Sequence, residues 1–473
     1  MTFFGCTERP TDMLISTFLP PIYPDYAGVT IPVDIAPLNF CVDGADVVDV
    51  EVHGDNGHML IANGKWADFD VDGWKSLVAE NVGGKLTFSV STKVASKWVR
   101  YADFHVFVSS DTLSDFGLVY RKIAPGYETF SNIGIYQRDV HSFSEYPIVE
   151  STAVPGECIN CHSFKGTDPS CFSLHFRGVH GATLVQRDGE RHWLNTKTDS
   201  TIANCMYPYW HPSGNYCAYS LNLVHQCFFT SNNQYIEVFD KASDCVVLDV
   251  RNNQLILSPS MQTSDFETYP VFSADGKSIF YCTSKPHDVP LEYLKMRYDL
   301  CRVSFDADNG SIGNDVDTLL KVSSAGHSIT FPSPSHDGRY LIYCLSDFGV
   351  FPINHKEADL WIMNLQTGVS RPLDEVNSDD TESYHSWSTN SRWIVFSSRR
   401  GDGLYSRLYI AHIDADGNAG KPFLLPQRNP LSFYSSSPYS YNVPEFVSSP
   451  VEFDVQSAFD EVFSSQREQV HVR

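Results

Sequence analysis

A segment that recurs four times constrains the fold more than any other feature of this 473-residue chain. Each copy has an aromatic residue, a tight polar turn, and then an apolar strand that ends in an aromatic and a small residue. Strand-forming repeats of this length are typical of β-propellers, in which each blade holds about four strands. The sequence therefore predicts an all-β protein. The copies start 62, 62 and 53 residues apart, at Tyr207, Tyr269, Phe331 and Tyr384.

The repeats predict a propeller over residues 171–450, with five or six blades. A degenerate fifth copy begins at Phe172 and lacks the turn motif. A sixth blade would combine residues 120–150 with the C-terminal strand region, and the sequence leaves the count open. We expect residues 451–473 to form a C-terminal tail.

A different unit precedes the propeller. Residues 28–120 contain segments in which apolar and polar residues alternate, and two of these segments flank a Gly-Asp-Asn-Gly turn. This pattern is typical of half-buried strands joined by hairpins, and it predicts a small β-sandwich. Residues 121–170 are expected to connect the sandwich to the propeller.

The connecting segment carries the motif that points most directly to chemistry, ECINCHSF at residues 157–164. Two cysteines separated by two residues and followed by histidine form the spacing that attaches a c-type haem. Cys158 and Cys161 would bind the porphyrin covalently, and His162 would be the proximal ligand of the iron. Three further readings of the motif stay open: a zinc site that includes Cys171, a plain disulfide, and a degenerate motif.

A haem would have a second axial position, and His175 is the first candidate for it. Strand alternation places His175 and Arg177 on the same face of the segment CFSLHFRG. Arg177 would pair with a haem propionate, since a guanidinium matches carboxylate geometry. His180 and Met206 are the competing ligands. A five-coordinate iron, or a hydrogen-bonded His175 with no metal, would also be compatible with the sequence.

Composition excludes several functions. The formal net charge of −23 argues against binding to nucleic acids or anionic lipid surfaces, which require a basic footprint. No apolar run reaches the roughly 18 residues of a transmembrane helix. The chain has no G-x-S-x-G, H-E-x-x-H or P-loop motif, which favours a carrier or binding protein over a hydrolase.

A candidate calcium loop lies in the N-terminal unit. Asp68, Asp70 and Asp72 before Gly73 resemble the first half of an EF-hand loop, but Ala79 stands where the bidentate glutamate belongs. The sequence favours a solvated turn over a calcium site.

The repeats resemble those of TolB-type propellers, in which a proline and an aromatic residue precede a Ser-Pro-Asp-Gly turn and a short apolar strand. This resemblance implies a protein of the bacterial envelope, either periplasmic or anchored to the outer membrane. With the haem motif, it implies an electron-transfer protein or a redox subunit with an envelope partner. The competing hypothesis is a scaffold without haem that binds a protein or a glycan.

The N-terminus suggests how the chain would be anchored. Gly5-Cys6 resembles the end of a bacterial lipoprotein signal, in which a small residue precedes the lipidated cysteine. We expect a true start upstream and a lipid anchor at Cys6. The simpler interpretation is that residues 1–27 form a disordered tail with a chance cysteine.

Overall fold

The computed structural model describes residues 8–55, 57–124, 132–153, 157–229, 236–464 and 466–473. Almost all of the regular structure is β, which confirms the predicted fold class. None of the helices in these ranges is long and apolar enough to cross a membrane. Cys6 lies outside the described residues, so the expected lipid anchor stays a prediction.

The N-terminal unit contains nine strands and one helix, α1 (Val71–Ala79). Seven strands form one mixed sheet, and two others pair separately. Helix α1 buries Trp74 and Leu77 in the same core as the sheet, so the second layer of the expected sandwich contains a helix. The strands are β1 (Leu14–Ile15), β2 (Ile22–Tyr23), β3 (Thr30–Ile31), β4 (Cys41–Val42), β5 (Val47–His53), β6 (Met59–Gly64), β7 (Lys85–Val94), β8 (Lys97–Arg100) and β9 (Phe104–Val108).

The aspartate-rich segment before α1 starts this helix. The Asp70 carboxylate accepts a hydrogen bond from the Gly73 backbone N–H at 2.8 Å, which satisfies one of the free donors at the helix N-terminus. The segment is therefore a helix cap, where the sequence favoured a solvated turn. In the described ranges, no group of three or more His, Cys, Asp or Glu residues is arranged to hold a metal.

Six sheets form the propeller, and we number the blades in chain order. The strands of the first two blades are β10 (Gly117–Ile123), β11 (Ile133–Asp139), β12 (Glu145–Glu150), β13 (Cys158–Lys165), β14 (Asp168–Arg177), β15 (Ala182–Arg187) and β16 (Glu190–Asn195). Blades 3 and 4 contain β17 (Cys205–Trp210), β18 (Tyr216–Phe228), β19 (Ile236–Asp249), β20 (Gln254–Ile256), β21 (Phe266–Phe272), β22 (Ser278–Ser284), β23 (Asp299–Asp306) and β24 (Ser311–Leu320).

Blades 5 and 6 complete the ring. Their strands are β25 (Ser328–Pro334), β26 (Tyr340–Ser346), β27 (Asp359–Asn364), β28 (Ser370–Pro372), β29 (Glu382–Trp387), β30 (Trp393–Ser398), β31 (Arg407–His412) and β32 (Phe423–Leu424). Four short 3-10 helices lie in connections of the described chain, at Ser151–Ala153, Tyr293–Lys295, Ser323–Ala325 and Pro352–Asn354.

The C-terminal region closes the propeller. After helix α2 (Pro430–Ser436), strand β33 (Ser440–Val447) pairs antiparallel with β10 and becomes the inner strand of blade 1. The inner strands then form a closed ring in the order β33, β13, β17, β21, β25 and β29. The propeller has six blades because its two ends share one sheet.

The observed boundaries correct two expectations about domains. Residues 121–170 do not form a connector, because they supply strands of blade 1 and the inner strand of blade 2. The propeller consequently begins near residue 117 instead of 171. The segment after residue 450 is not a loose tail: helix α3 (Val455–Ser464) packs into the core between blades 1 and 2, and β34 (Glu468–Gln469) and β35 (His471–Val472) extend blades 2 and 3.

Candidate functional site

All six inner strands have a bulge at the same position. Their pairing register shifts there, and one residue of each bulge has a φ between 48° and 52°. Positive φ is uncommon for residues other than glycine, so its recurrence in every blade marks a conformation that the propeller requires. In blade order from blade 1, these residues are Val443, Cys161, Tyr207, Tyr269, Phe331 and Tyr384.

The residue after the bulge is proline in four blades and histidine in two. Pro208, Pro270, Pro332 and Pro444 occupy the position in blades 3, 4, 5 and 1, while His162 and His385 occupy it in blades 2 and 6. The second half of the CxxCH motif, CHSF, is thus the blade 2 copy of the segment that reads YHSW in blade 6. Position in the fold alone explains a histidine at residue 162.

The inner strands surround a central cavity of about 670 Å³. On the side of blades 3 to 6, the bulge residues form an arc of aromatic rings that we call the aromatic arc: Tyr207, Tyr269, Phe331 and Tyr384. Successive ring centroids in this arc are 4.9, 4.1 and 5.0 Å apart. This spacing is close to the range of favourable aromatic contact.

The other side of the cavity is cationic. Blades 1 and 2 have Val443 and Cys161 in place of aromatic residues, and the guanidinium groups of Arg121 and Arg177 line the cavity there. Arg121 donates to the side-chain oxygen of Asn160. The contacts of Arg177 are to sulfur atoms, at 3.9 Å from Cys161 Sγ and 3.5 Å from Met206 Sδ.

Neither of these arginines forms an ion pair with a carboxylate of the described residues, and the Nε atom of each is buried without a hydrogen-bond partner. Sulfur is a weak acceptor, so its contacts with Arg177 replace little of the hydration that the guanidinium has lost. We call Arg121 and Arg177 the arginine pair.

His162 is buried, and its polar neighbours belong to blade 1. Its Nε2 atom lies 3.6 Å from the Glu445 carboxyl, which is too long for a hydrogen bond, and its side chain is only 1% exposed. Burial, and next the Arg121 charge, lower the pKa of His162 to about 3, although backbone groups of Val443 and Val119 oppose this shift. Burial raises the pKa of Glu445 to about 8. At pH 7 the imidazole and the carboxyl are therefore both uncharged.

The three residues of the CxxCH motif all line the cavity. Cys158 pairs across the sheet with Arg177, and Arg177 also contacts Cys161. The polar neighbours of His162 belong to blade 1. Because Cys161 lies at the bulge of β13, the regular alternation of strand side chains does not fix the direction of its thiol relative to the imidazole. The covalent haem stays a prediction.

The three expected second ligands, His175, His180 and Met206, have different surroundings. His175 is buried in blade 2, where its Nδ1 lies 3.2 Å from Thr183 Oγ1, and burial lowers its pKa to about 3. His180 is bonded to Glu157 and lies edge-on against Phe463. Met206 contacts Arg177. Of the residues predicted to surround a haem, Cys158, Cys161, His162 and Arg177 line the cavity.

The zinc and disulfide hypotheses for the cysteines find no support in the geometry. Cys171 packs among apolar residues between blades 2 and 3, and burial raises the pKa of its thiol to about 11. All eleven cysteines of the described chain are free thiols, so Cys158 and Cys161 are not bridged.

Comparisons with known proteins add only a weak structural likeness. No family model matches the chain, and no curated protein sequence does. Among solved structures, TolB from Acinetobacter baumannii is 14% identical with a TM-score of 0.44, over 77% of this chain and 79% of that one. A putative 6-phosphogluconolactonase from Bacteroides fragilis is 12% identical with a TM-score of 0.36, over 72% of this chain and all of that one. These values carry no argument about function.

The equivalence of His162 to the prolines of other blades predicts that His162→Pro folds. We expect the free energy of urea unfolding to fall by about 1 kcal/mol or less, because the backbone there already suits proline. Ile159→Pro, on the same strand, is the control. It should cost about 2–5 kcal/mol from lost burial alone. An equal loss of unfolding free energy in the two variants would contradict the equivalence of His162 to the prolines.

The raised pKa of Glu445 predicts that the free energy of unfolding depends on pH. Its pKa is about 8 when folded but roughly 4 in an unfolded chain, so the folded state holds an extra proton between these values and stability falls as pH rises through them. The imidazole of His162 is still about half protonated in an unfolded chain at pH 6.5, but the wild type and Glu445→Gln both carry it, so its contribution is common to the two slopes. Urea unfolding of Glu445→Gln at about pH 6.5, 7.5 and 8.5 should show a shallower decline than the wild type. The exposed Glu452→Gln should keep the wild-type slope.

Proposed function

We propose that this protein is a binding module whose propeller cavity takes a small organic anion. One observation carries the proposal: the arginine pair lines the cavity without a carboxylate partner among the described residues, in a chain of net charge −23. A chain with 57 acidic residues could readily have supplied an internal partner. A half-buried guanidinium with no carboxylate partner loses part of its hydration, and an anion from solution would compensate for that loss through charge-assisted hydrogen bonds.

The shape of the site supports binding as well. A volume of about 670 Å³ is typical of pockets for small organic molecules, which are mostly apolar with a few convergent polar groups. The cavity is lined by inner strands, which the ring holds from both sides, so its walls are formed before a ligand arrives. This assignment agrees with the scaffold hypothesis in placing no haem in the protein, but it replaces a docking surface with an internal site.

The bacterial envelope location and an envelope or redox partner follow only from the resemblance of the repeats. They remain part of the proposal, together with the lipid anchor at Cys6. Mass spectrometry of the native protein would reveal acyl chains on Cys6.

Anion binding is tested with Arg177→Gln and Arg121→Gln. Isothermal titration with benzoate, 3-phenylpropionate, succinate and inorganic phosphate should find at least one ligand for the wild type, with an affinity that falls as salt is added. Each substitution should weaken that ligand by about 10- to 100-fold, the loss expected for a hydrogen bond to a charged group. Arg302→Gln, on the outer part of blade 4, is the matched control. The proposal fails if none of the anions binds or if Arg302→Gln weakens binding equally.

The c-type haem is the competing hypothesis and has its own test. After expression with a cytochrome maturation system, we expect no haem c signal in the pyridine haemochrome spectrum, because the proposal gives the cavity to a small anion. A haem c spectrum that is lost in Cys158→Ser would overturn the assignment of the cavity to an anion.

A further inference from the structure

The aromatic arc and the arginine pair face each other across the propeller axis. In a ring of six blades, blade 4 lies opposite blade 1 and blade 5 lies opposite blade 2. Tyr269 and Phe331 are therefore opposite the blades that carry Arg121 and Arg177. The cavity consequently has an apolar, ring-lined wall and a cationic wall at its two ends.

A bare inorganic anion accounts for the cationic wall but not for the aromatic wall. Phosphate or sulfate would satisfy the arginine pair but would fill only a small part of about 670 Å³. It would also leave the two partly buried rings of the aromatic arc, Tyr207 and Phe331, without a ligand contact. A purely apolar molecule would use the aromatic arc and leave the two guanidinium groups unpaired.

We infer that the ligand is an aromatic acid, with its carboxylate at the arginine pair and its ring against Phe331 and Tyr207, the partly buried rings of the aromatic arc. This inference rests on the proposed function and specifies its ligand class. Arginine binds a planar carboxylate through paired hydrogen bonds, and aromatic rings favour offset or edge contacts with another ring over contacts with a saturated group.

Cys161 has a role in this arrangement that the repeat makes visible. Four of the six bulge positions hold an aromatic ring. In blade 2 the Cys161 sulfur lies 3.9 Å from the Arg177 guanidinium, so an aromatic residue at this position would place its ring beside Arg177. The small thiol keeps the cationic end open. Val443 does the same in blade 1.

The first experiment compares three probes on the wild-type protein by isothermal titration: 3-phenylpropionate, 3-cyclohexylpropionate and 3-phenylpropionamide. We expect the phenyl acid to bind about 2- to 10-fold more tightly than the cyclohexyl acid, as the usual strength of an aromatic pair predicts. The amide, which lacks the charge, should bind at least about 10-fold more weakly than the phenyl acid.

The three probes distinguish the aromatic ligand class from the proposed anion-binding function. If both acids bind equally well and the amide does not, the anion site stands and the aromatic class is wrong. If none of the three probes binds but succinate or phosphate does, the aromatic class is again wrong and the anion site stands. If the amide binds as well as the acid, the proposed function itself is wrong.

The second experiment locates the site with two substitutions taken from the repeat itself. Cys161→Tyr introduces the residue of blades 3, 4 and 6, and Cys161→Val introduces the residue of blade 1, so the backbone accepts both. Cys161→Tyr should reduce phenylpropionate binding at least about 10-fold by filling the space beside Arg177, which would cost the charged hydrogen bonds. Cys161→Val, whose side chain stays small, should keep more of this binding than Cys161→Tyr does. Equal affinity in both variants would overturn the placement of the carboxylate, even if Cys161→Tyr is less stable.

Discussion

The pairing of β33 with β10 is the interaction on which the rest of this structure depends. It places a strand from near the C-terminus inside a sheet made by residues 117–150, and it turns six blades into a closed ring. A closed ring leaves no inner strand with only one neighbour, and each wall of the cavity is held from both sides. Without this pairing, blades 1 and 6 would not be adjacent, and the arginine pair would not face the aromatic arc.

The bulge of the inner strand converts this ring into a site. Because the same residue of each blade adopts φ near 50°, six side chains are presented at one level around the axis. Their identities then determine the chemistry of the cavity. Four aromatic rings make one side apolar, and the two small residues, Val443 and Cys161, leave room for guanidinium groups from β10 and β14. The cavity is therefore asymmetric because different side chains occupy equivalent backbone positions in the six blades.

The same geometry gives the CxxCH motif a second interpretation. The motif specifies order along the chain, whereas the fold makes its CHSF half the blade 2 copy of the repeat. In β13, Arg177 contacts Cys161, and His162 lies 3.6 Å from the Glu445 carboxyl. The burial that makes His162 a neutral imidazole also places it between two blades. A second sequence signal was present in the pair CHSF and YHSW, which links His162 to His385, and VPEF similarly marks Val443 as part of the repeat.

The sequence by itself determined the fold class, the propeller and the four clear repeats, because alternating apolar residues and tight turns are local properties of the chain. It also determined that Cys158, Cys161, His162 and Arg177 belong near one site, since they lie on adjacent strands of one hairpin. The sequence also suggested that residues 120–150 and the C-terminal strand region could share a sixth blade, but only the tertiary structure decided it, because the pairing of residues 117–123 with 440–447 joins segments far apart in the chain. The tertiary structure also decided that Arg121 joins Arg177 and that His175 does not face the cavity. Those placements depend on which face of each strand the neighbouring blade covers, and ring closure sets that choice.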